Sequence, residues 1–199
     1  MTDLWPDVRP DAARRLMAAA VAAFGERGYH ATTTRDIATA AGMSPAALYV
    51  HFPSKAAVLS AISRSGHEKA LAMVTAAAAG PGDAAARMRV LVTEFVAWHA
   101  RRHRVARIVQ YELTALPEPD YEAVVALRRQ TDAVVRSLIE DGVSSGVFRV
   151  SDIRSAARAV LSLGIDVARW YTAESKPDPE TLGADYAGLV LAMLGAAGA

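Results

Sequence analysis

The chain contains no cysteine, which excludes disulfide staples, thiolate metal sites and cysteine nucleophiles. It has no uninterrupted apolar run near eighteen residues, the length a membrane-spanning helix needs, so no membrane partner is expected. The opening residues MTDLWPDVRPDAARR mix acidic and basic side chains. They lack the apolar core and small-residue cleavage site of a secretory signal, and a cytoplasmic protein is the simplest expectation.

An excess of one charge is also missing. Net charge is +1 at pH 7. Within residues 1–55, Arg9, Arg14, Arg15, Arg27, Arg35 and Lys55 stand against Asp3, Asp7, Asp11, Glu26 and Asp36. Any binding of nucleic acid therefore depends on a few placed groups and not on a broad basic field. Enzyme signatures are lacking too. GMSPA (42–46) ends on Ala46 and follows no strand, unlike a nucleophile elbow. GPGDAA (80–85) lacks the third glycine and the βαβ setting of a dinucleotide fold. There is no HExxH and no phosphate-binding loop. The chain is read as a non-enzyme that requires no cofactor.

What is present is helix. Hydrophobic residues make up 52% and charged residues 22% of 199 positions, enough for one or two folded domains. Alanine is abundant and alternating β-branched runs are scarce. Ala13, Leu16, Ala20, Ala23 and Phe24 trace one face of a first helix that Gly28 stops. Thr33 caps a second helix, with Asp36 three residues on as a capping-box variant; it buries Ile37, Ala38 and Ala41 and ends at Gly42. Ser44 and Pro45 open a third as N-cap and first helical residue. Pro53 ends it, and Ser54 caps a fourth carrying Val58, Leu59 and Ile62. Downstream, Gly80-Pro81-Gly82 breaks the chain before a helix marked by Met88, Leu91, Val92, Phe95 and His99. Pro117 and Pro119 mark a loop before a helix from about Asp120 to Ser145. Ser151 or Asp152 caps a helix reaching Ala173, and a final amphipathic helix begins at Glu180.

Two short helices joined by a glycine-containing turn form a helix-turn-helix, whose second helix can enter a major groove. Leu48 and Phe52, at i and i+4, are expected in the core, leaving Pro45, Ala46 and Tyr49 toward DNA. Pro45 and Ala46 offer methyl contacts or close backbone approach. Tyr49 and His51 can donate hydrogen bonds to phosphates. Lys55 and Thr33, each at the start of a helix, are placed to do the same. Arg35 is the long donor expected to meet a guanine. With Ser44, these residues make up the expected DNA-binding set. The plain alternative is a helical bundle on which Tyr49 and His51 are ordinary surface residues.

The run AAFGERGYHATTTRDIATAAGMSPAALYVHFPSKAAVL, residues 22–59, resembles the N-terminal domain of the TetR family of transcriptional regulators. The resemblance rests on Phe24, Gly28-Tyr29, Thr33-Thr34, Ile37-Ala38, Ala41-Gly42, Ser44, Leu48-Tyr49, His51-Phe52 and Ser54-Lys55. Val50 departs from it, standing where the family often has an aromatic or polar residue. The resemblance implies an all-α homodimer of about nine helices, with a three-helix head and a larger helical ligand-binding and dimerisation domain. The corresponding division is 1–55 and 56–199. It also implies a double-stranded, near-palindromic DNA operator and a small-molecule inducer.

For the ligand, WHARRHRVARIVQYEL (98–113) supplies Trp98, Arg101, Arg107 and Tyr111, with Arg102, Arg104 and Ile108 beside them. ARWYTAESKPDP (168–179) supplies Arg169, Trp170 and Tyr171. Arginines can pair with phosphate or carboxylate groups, and the aromatics can line an apolar tunnel. Equally, these residues suit a solvated basic face with packed tryptophans. Both segments are similar to the C-terminal domains of TetR-type regulators of lipid and steroid breakdown, some of which respond to acyl-coenzyme A thioesters. That points to an acyl-CoA or related apolar acid. His99 and His103, at i and i+4, have metal-ligand spacing but no third ligand apart from distant Glu112, so no metal is expected. The last two helices, which carry small residues beside leucines (Ala157, Leu161, Gly164, Gly188, Leu191 and Leu194), are the expected dimer interface. The competing function is a helical ligand-binding protein without operator-specific DNA binding.

Overall fold

The computed structural model describes Trp5 and residues 8–196. Those residues form nine α-helices and one short 3-10 turn, with no strand among them. The helices are α1 (Asp11–Arg27), α2 (Thr34–Ala40), α3 (Pro45–His51), α4 (Lys55–Ala78), α5 (Ala84–Arg101), α6 (His103–Tyr111), α7 (Glu118–Ser144), α8 (Ile153–Trp170) and α9 (Pro179–Met193). The fold is all-α, as expected.

Packing divides the chain into two compact units. The first takes the described residues up to Gly66 together with Arg107–Val124; the second takes His67–Ala106 and the residues from Val125 onward. The division implied by the resemblance falls after residue 55. By packing, the start of α4 and the segment 107–124 go with the head.

In the first unit α1, α2 and α3 pack on one another, with Leu16, Ile37, Leu48, Leu59 and Ile62 all fully buried. The short helices start where their caps dictate. Thr33 and Asp36 close a reciprocal capping box at α2, and Ser44 accepts from the Ala47 N–H at 3.2 Å with Pro45 as the first helical residue of α3. Gly42 sits at φ +66° in the turn between them, a conformation that a side chain disfavours.

In the second unit α5 lies against α8 and α9. Its core joins Met88, Leu91, Phe95 and Val96 of α5 with Val160 and Val167 of α8 and Val190 and Leu191 of α9. Asp83, Asp152 and Asp178 cap α5, α8 and α9, each through its carboxylate. The helices meet closely. A Cβ on Gly164 would fall 2.5 Å from Phe95 Cδ1, and one on Gly183 would fall 2.4 Å from the Thr93 carbonyl oxygen.

Three boundaries depart from the sequence expectation. The helix expected from Asp120 begins at Glu118, because Pro119 in the first turn has no N–H to lose and fits there. The helix expected to reach Ala173 ends at Trp170. The segment 98–113, read as one helical face, is split at Arg102, which takes φ −114° and ψ 24° between α5 and α6. No glycine or proline marks that break. Instead His103 Nδ1 bonds the Ala100 carbonyl at 2.9 Å, satisfying one of the end carbonyls that a terminating helix exposes. The expected interface residues also need correction: Ala157, Gly164, Leu191 and Leu194 are buried within the chain's own core. The large apolar side chains that α8 and α9 leave exposed are Leu163, Trp170, Leu189 and Met193.

Candidate nucleic-acid interface

Helix α3 is seven residues long and buries only Leu48 of them, with Phe52 buried just beyond its end. Pro45, Ala46, Tyr49 and Val50 face outward. Tyr49 is 54% exposed and Val50 79% exposed, so the outer face offers methyl groups and one phenol. The Tyr49 hydroxyl lies 3.1 Å from Thr34 Oγ1 on α2. That bond fixes the ring's orientation while leaving the oxygen accessible. Thr34 was not among the expected site residues. His51 is half-buried at the C-terminal end of α3.

Thr33 and Ser44 are engaged as caps. Thr33 Oγ1 donates to Asp36 Oδ2 at 2.7 Å and accepts from the Asp36 N–H at 3.2 Å. The Thr33 hydroxyl bond first, and the Thr33 N–H donating to the same Oδ2 at 2.8 Å second, hold the Asp36 carboxyl below the usual carboxylate range. The Ser44 hydroxyl accepts from its cap partner and keeps its own proton available to an outside acceptor.

Most cations of the head already hold partners within the chain. Arg15 donates to the Ala41 carbonyl at 2.6 Å, bracing the end of α2 from α1. Arg27 pairs with Asp36 at 3.1 Å, while Arg9 and Arg14 both lean on Asp11. The Lys55 ammonium donates to the carbonyls of Tyr29 at 2.7 Å, Thr32 at 2.8 Å and His30 at 3.1 Å. It also lies 4.5 Å from the centre of the Tyr29 ring. An ammonium has three donors, and all three are occupied. Arg35, exposed on α2, is the cation of the described head residues that makes no ion pair or hydrogen bond. The bracing roles of Arg15, Arg27 and Lys55 left no mark in the sequence, because each joins positions far apart along the chain.

Such a head has the form of a groove-reading helix-turn-helix: an outward face of methyls and a phenol on α3, one free guanidinium beside it, and everything else locked. Comparison with known proteins agrees. “Bacterial regulatory proteins, tetR family” matches residues 11–62, and “Tetracyclin repressor-like, C-terminal domain” matches residues 81–194. The chain belongs to the TetR family of transcriptional regulators. A TetR-family regulatory protein from Rhodococcus RHA1 is 42% identical, with a TM-score of 0.89 over 94% of this chain and 99% of that one. The HTH-type transcriptional repressor KstR2 of Rhodococcus jostii is 29% identical over 178 residues, 88% of this chain and 87% of its own length. The structure of the ketosteroid transcriptional regulator KstR2 of Mycobacterium tuberculosis has a TM-score of 0.85 at 25% identity, covering 94% of this chain and 96% of that one. The family is one of DNA-binding regulators and not of enzymes.

In this TetR-family chain the expected ligand residues fall in both units. Trp98, Arg101, Arg169 and Trp170 lie in the second, Arg107 and Tyr111 in the first. Trp98 is half-buried and stands edge-on to His99, ring centres 4.8 Å apart. Trp170 and Tyr111 are exposed. Two of the arginines already hold carboxylates: Arg101 pairs with Glu180, and Arg169 forms a two-pronged pair with Asp166 at 2.8 and 3.1 Å. Arg104 is exposed and makes no ion pair. His99, expected on the apolar face of its helix and weighed as a metal ligand, is 6% exposed. Its Nδ1 must carry the proton, because it faces the Phe95 carbonyl at 2.8 Å and a carbonyl can only accept. Burial lowers its pKa to about 4, so the ring is neutral at pH 7. No group of three metal-binding side chains occurs among the described residues.

Proposed function

We propose that this chain represses transcription as a homodimer on a near-palindromic operator, and that a small apolar acid or acyl-CoA releases it. The observation that carries the DNA reading is the head itself. An exposed face of Pro45, Ala46, Tyr49 and Val50 stands with an unpaired Arg35, while the neighbouring cations brace the fold. Arg35 contacts a guanine, since a guanidinium matches the two acceptors on that base's groove edge. Pro45, Ala46 and Val50 meet thymine methyls. Tyr49, His51 and Ser44 approach phosphates, whereas the Thr33 hydroxyl proton is already given to Asp36. With so few polar groups on α3, DNA shape contributes to sequence preference at positions no side chain touches.

Two heads must reach successive major grooves about 34 Å apart, which requires a two-fold symmetric dimer. The exposed Leu163, Leu189 and Met193 of α8 and α9 support an interface there. Repression is supported by the KstR2 relative, which is a transcriptional repressor. The ligand class is supported by the ketosteroid regulator among the similar structures and by the aromatic and arginine content of 98–113 and 168–179. Arg104, exposed and without an ion pair, is better placed than Arg101 and Arg169 to meet its anionic groups, because the latter pair already hold carboxylates.

Mobility shift with DNA from upstream of the chain's own gene tests the first part. Binding of one fragment at low salt, competed poorly by unrelated DNA, is expected. Failure to bind any such fragment contradicts a regulator. A thermal-shift panel of long-chain acyl-CoAs tests the second. A raised melting temperature with loss of operator binding is expected, and no change in either contradicts that ligand class.

A further inference from the structure

We infer that Lys55 is a positioning residue for the reading helix and makes no contact with phosphate. The inference rests on the DNA-binding reading above and concerns how α3 is held. Lys55 is the first residue of α4, where a cation is disfavoured by the partial positive charge of the helix start. Its neighbours offset that cost. The carbonyls of Tyr29, His30 and Thr32 converge on the ammonium, and the Tyr29 ring lies beneath it.

Those carbonyls belong to the turn joining α1 to α2. That turn is itself fixed, because Thr32 Oγ1 bonds the carbonyls of Gly28 at 2.8 Å and Ala23 at 3.2 Å. Tyr29 is buried and packs edge-on against Phe24, ring centres 5.1 Å apart. On the other side, only Phe52, Pro53 and Ser54 separate Lys55 from the end of α3. The lysine therefore ties the exit of the reading helix to the turn before α2, so both ends of the helix-turn-helix share one anchor. A seven-residue helix that buries a single side chain has little apolar contact to set its angle. The polar anchor supplies it.

Chemistry distinguishes this role from a phosphate contact. Three carbonyls around one point suit a compact ammonium with three donors, whereas a planar guanidinium cannot aim three N–H groups at them. A phosphate accepts either cation. Moreover, removing a phosphate contact cannot destabilise the free protein.

The test takes an operator selected from a random duplex pool with the wild-type chain. Affinity for that operator and for unrelated DNA is then measured from about 50 to 200 mM salt with wild type, Lys55→Met and Lys55→Arg. Both variants are expected to melt lower than wild type. Both are expected to lose at least roughly tenfold in the ratio of specific to non-specific affinity, with the salt slope of wild type. A salt slope shallower by about 1.8 for two heads in Lys55→Met, with both affinities falling together and Lys55→Arg behaving as wild type, would overturn the inference. So would a lowered melting temperature with the specificity ratio intact, which would make Lys55 merely structural. Failure of both variants to fold would likewise make Lys55 a general structural residue and overturn the inference. If wild type selects no sequence, the regulator reading itself fails and this inference with it.

Discussion

The two units are held together by different physics. The second is built from burial and close approach: Leu191, Met88 and Ile139 are fully enclosed, and helices meet where Gly164 and Gly183 leave no room for a side chain. The first contains two seven-residue helices too short to bury much, and directional bonds make up the difference. Arg15 holds the end of α2, Arg27 its start, Thr33 and Ser44 cap, and Lys55 ties the turns. The consequence is functional. Bracing a small head with its own cations engages their donors within the chain, and leaves Arg35 as the unpaired cation of the described head residues.

The difference can be probed where it is largest. In the second unit the unfolded chain takes up a proton on His99 near the ordinary histidine value, whereas the folded chain holds off until about pH 4. Its folded pKa is depressed, so stability is lost as pH falls from about 6.5 to 4, by about 1.4 kcal/mol per pH unit and on the order of 3 kcal/mol in all. Denaturant unfolding across that range should show the loss in wild type, and a flatter profile in His99→Gln. Next, Gly183→Ala sets a methyl against the Thr93 carbonyl and should cost about 1–3 kcal/mol of unfolding free energy, without altering operator preference below the melting temperature. In the head, Thr33→Ala should cost about 1 kcal/mol and let the Asp36 carboxyl return toward its ordinary range, which NMR titration would follow. Smallest is Arg27→Ala. Its exposed pair with Asp36 should be worth less than about 1 kcal/mol and fade with added salt. If the cap and ion-pair variants proved as damaging as Gly183→Ala, the contrast between the units would be overstated.

What the sequence disclosed follows the same line. Capping is local, so Thr33 with Asp36 and Ser44 with Pro45 were readable within three or four residues. Leu48 and Phe52 were readable from helical spacing. Lys55 was visible as a motif residue but not as an anchor, because its carbonyl partners lie 23 to 26 residues back along the chain. The break at Arg102 was invisible because a side chain from the next turn, His103, satisfies the helix end in place of a glycine. The small residues of α8 and α9 were read as an interface between subunits because packing within a chain and between chains uses the same composition. Only the fold reveals that Ala157, Gly164 and Leu191 face α5 and its neighbours, and that Leu163, Leu189 and Met193 remain outside.

The central claim is that Arg35 reads a base while the other head cations brace the fold. Base preferences at every operator position, measured by selection with wild type and with Arg35→Ala, test it most directly. The account predicts that the variant loses preference at one position in each half-site, at a cost of roughly 1–3 kcal/mol, and keeps the rest. An unchanged preference profile with uniformly weaker binding would make Arg35 a phosphate contact and contradict the account.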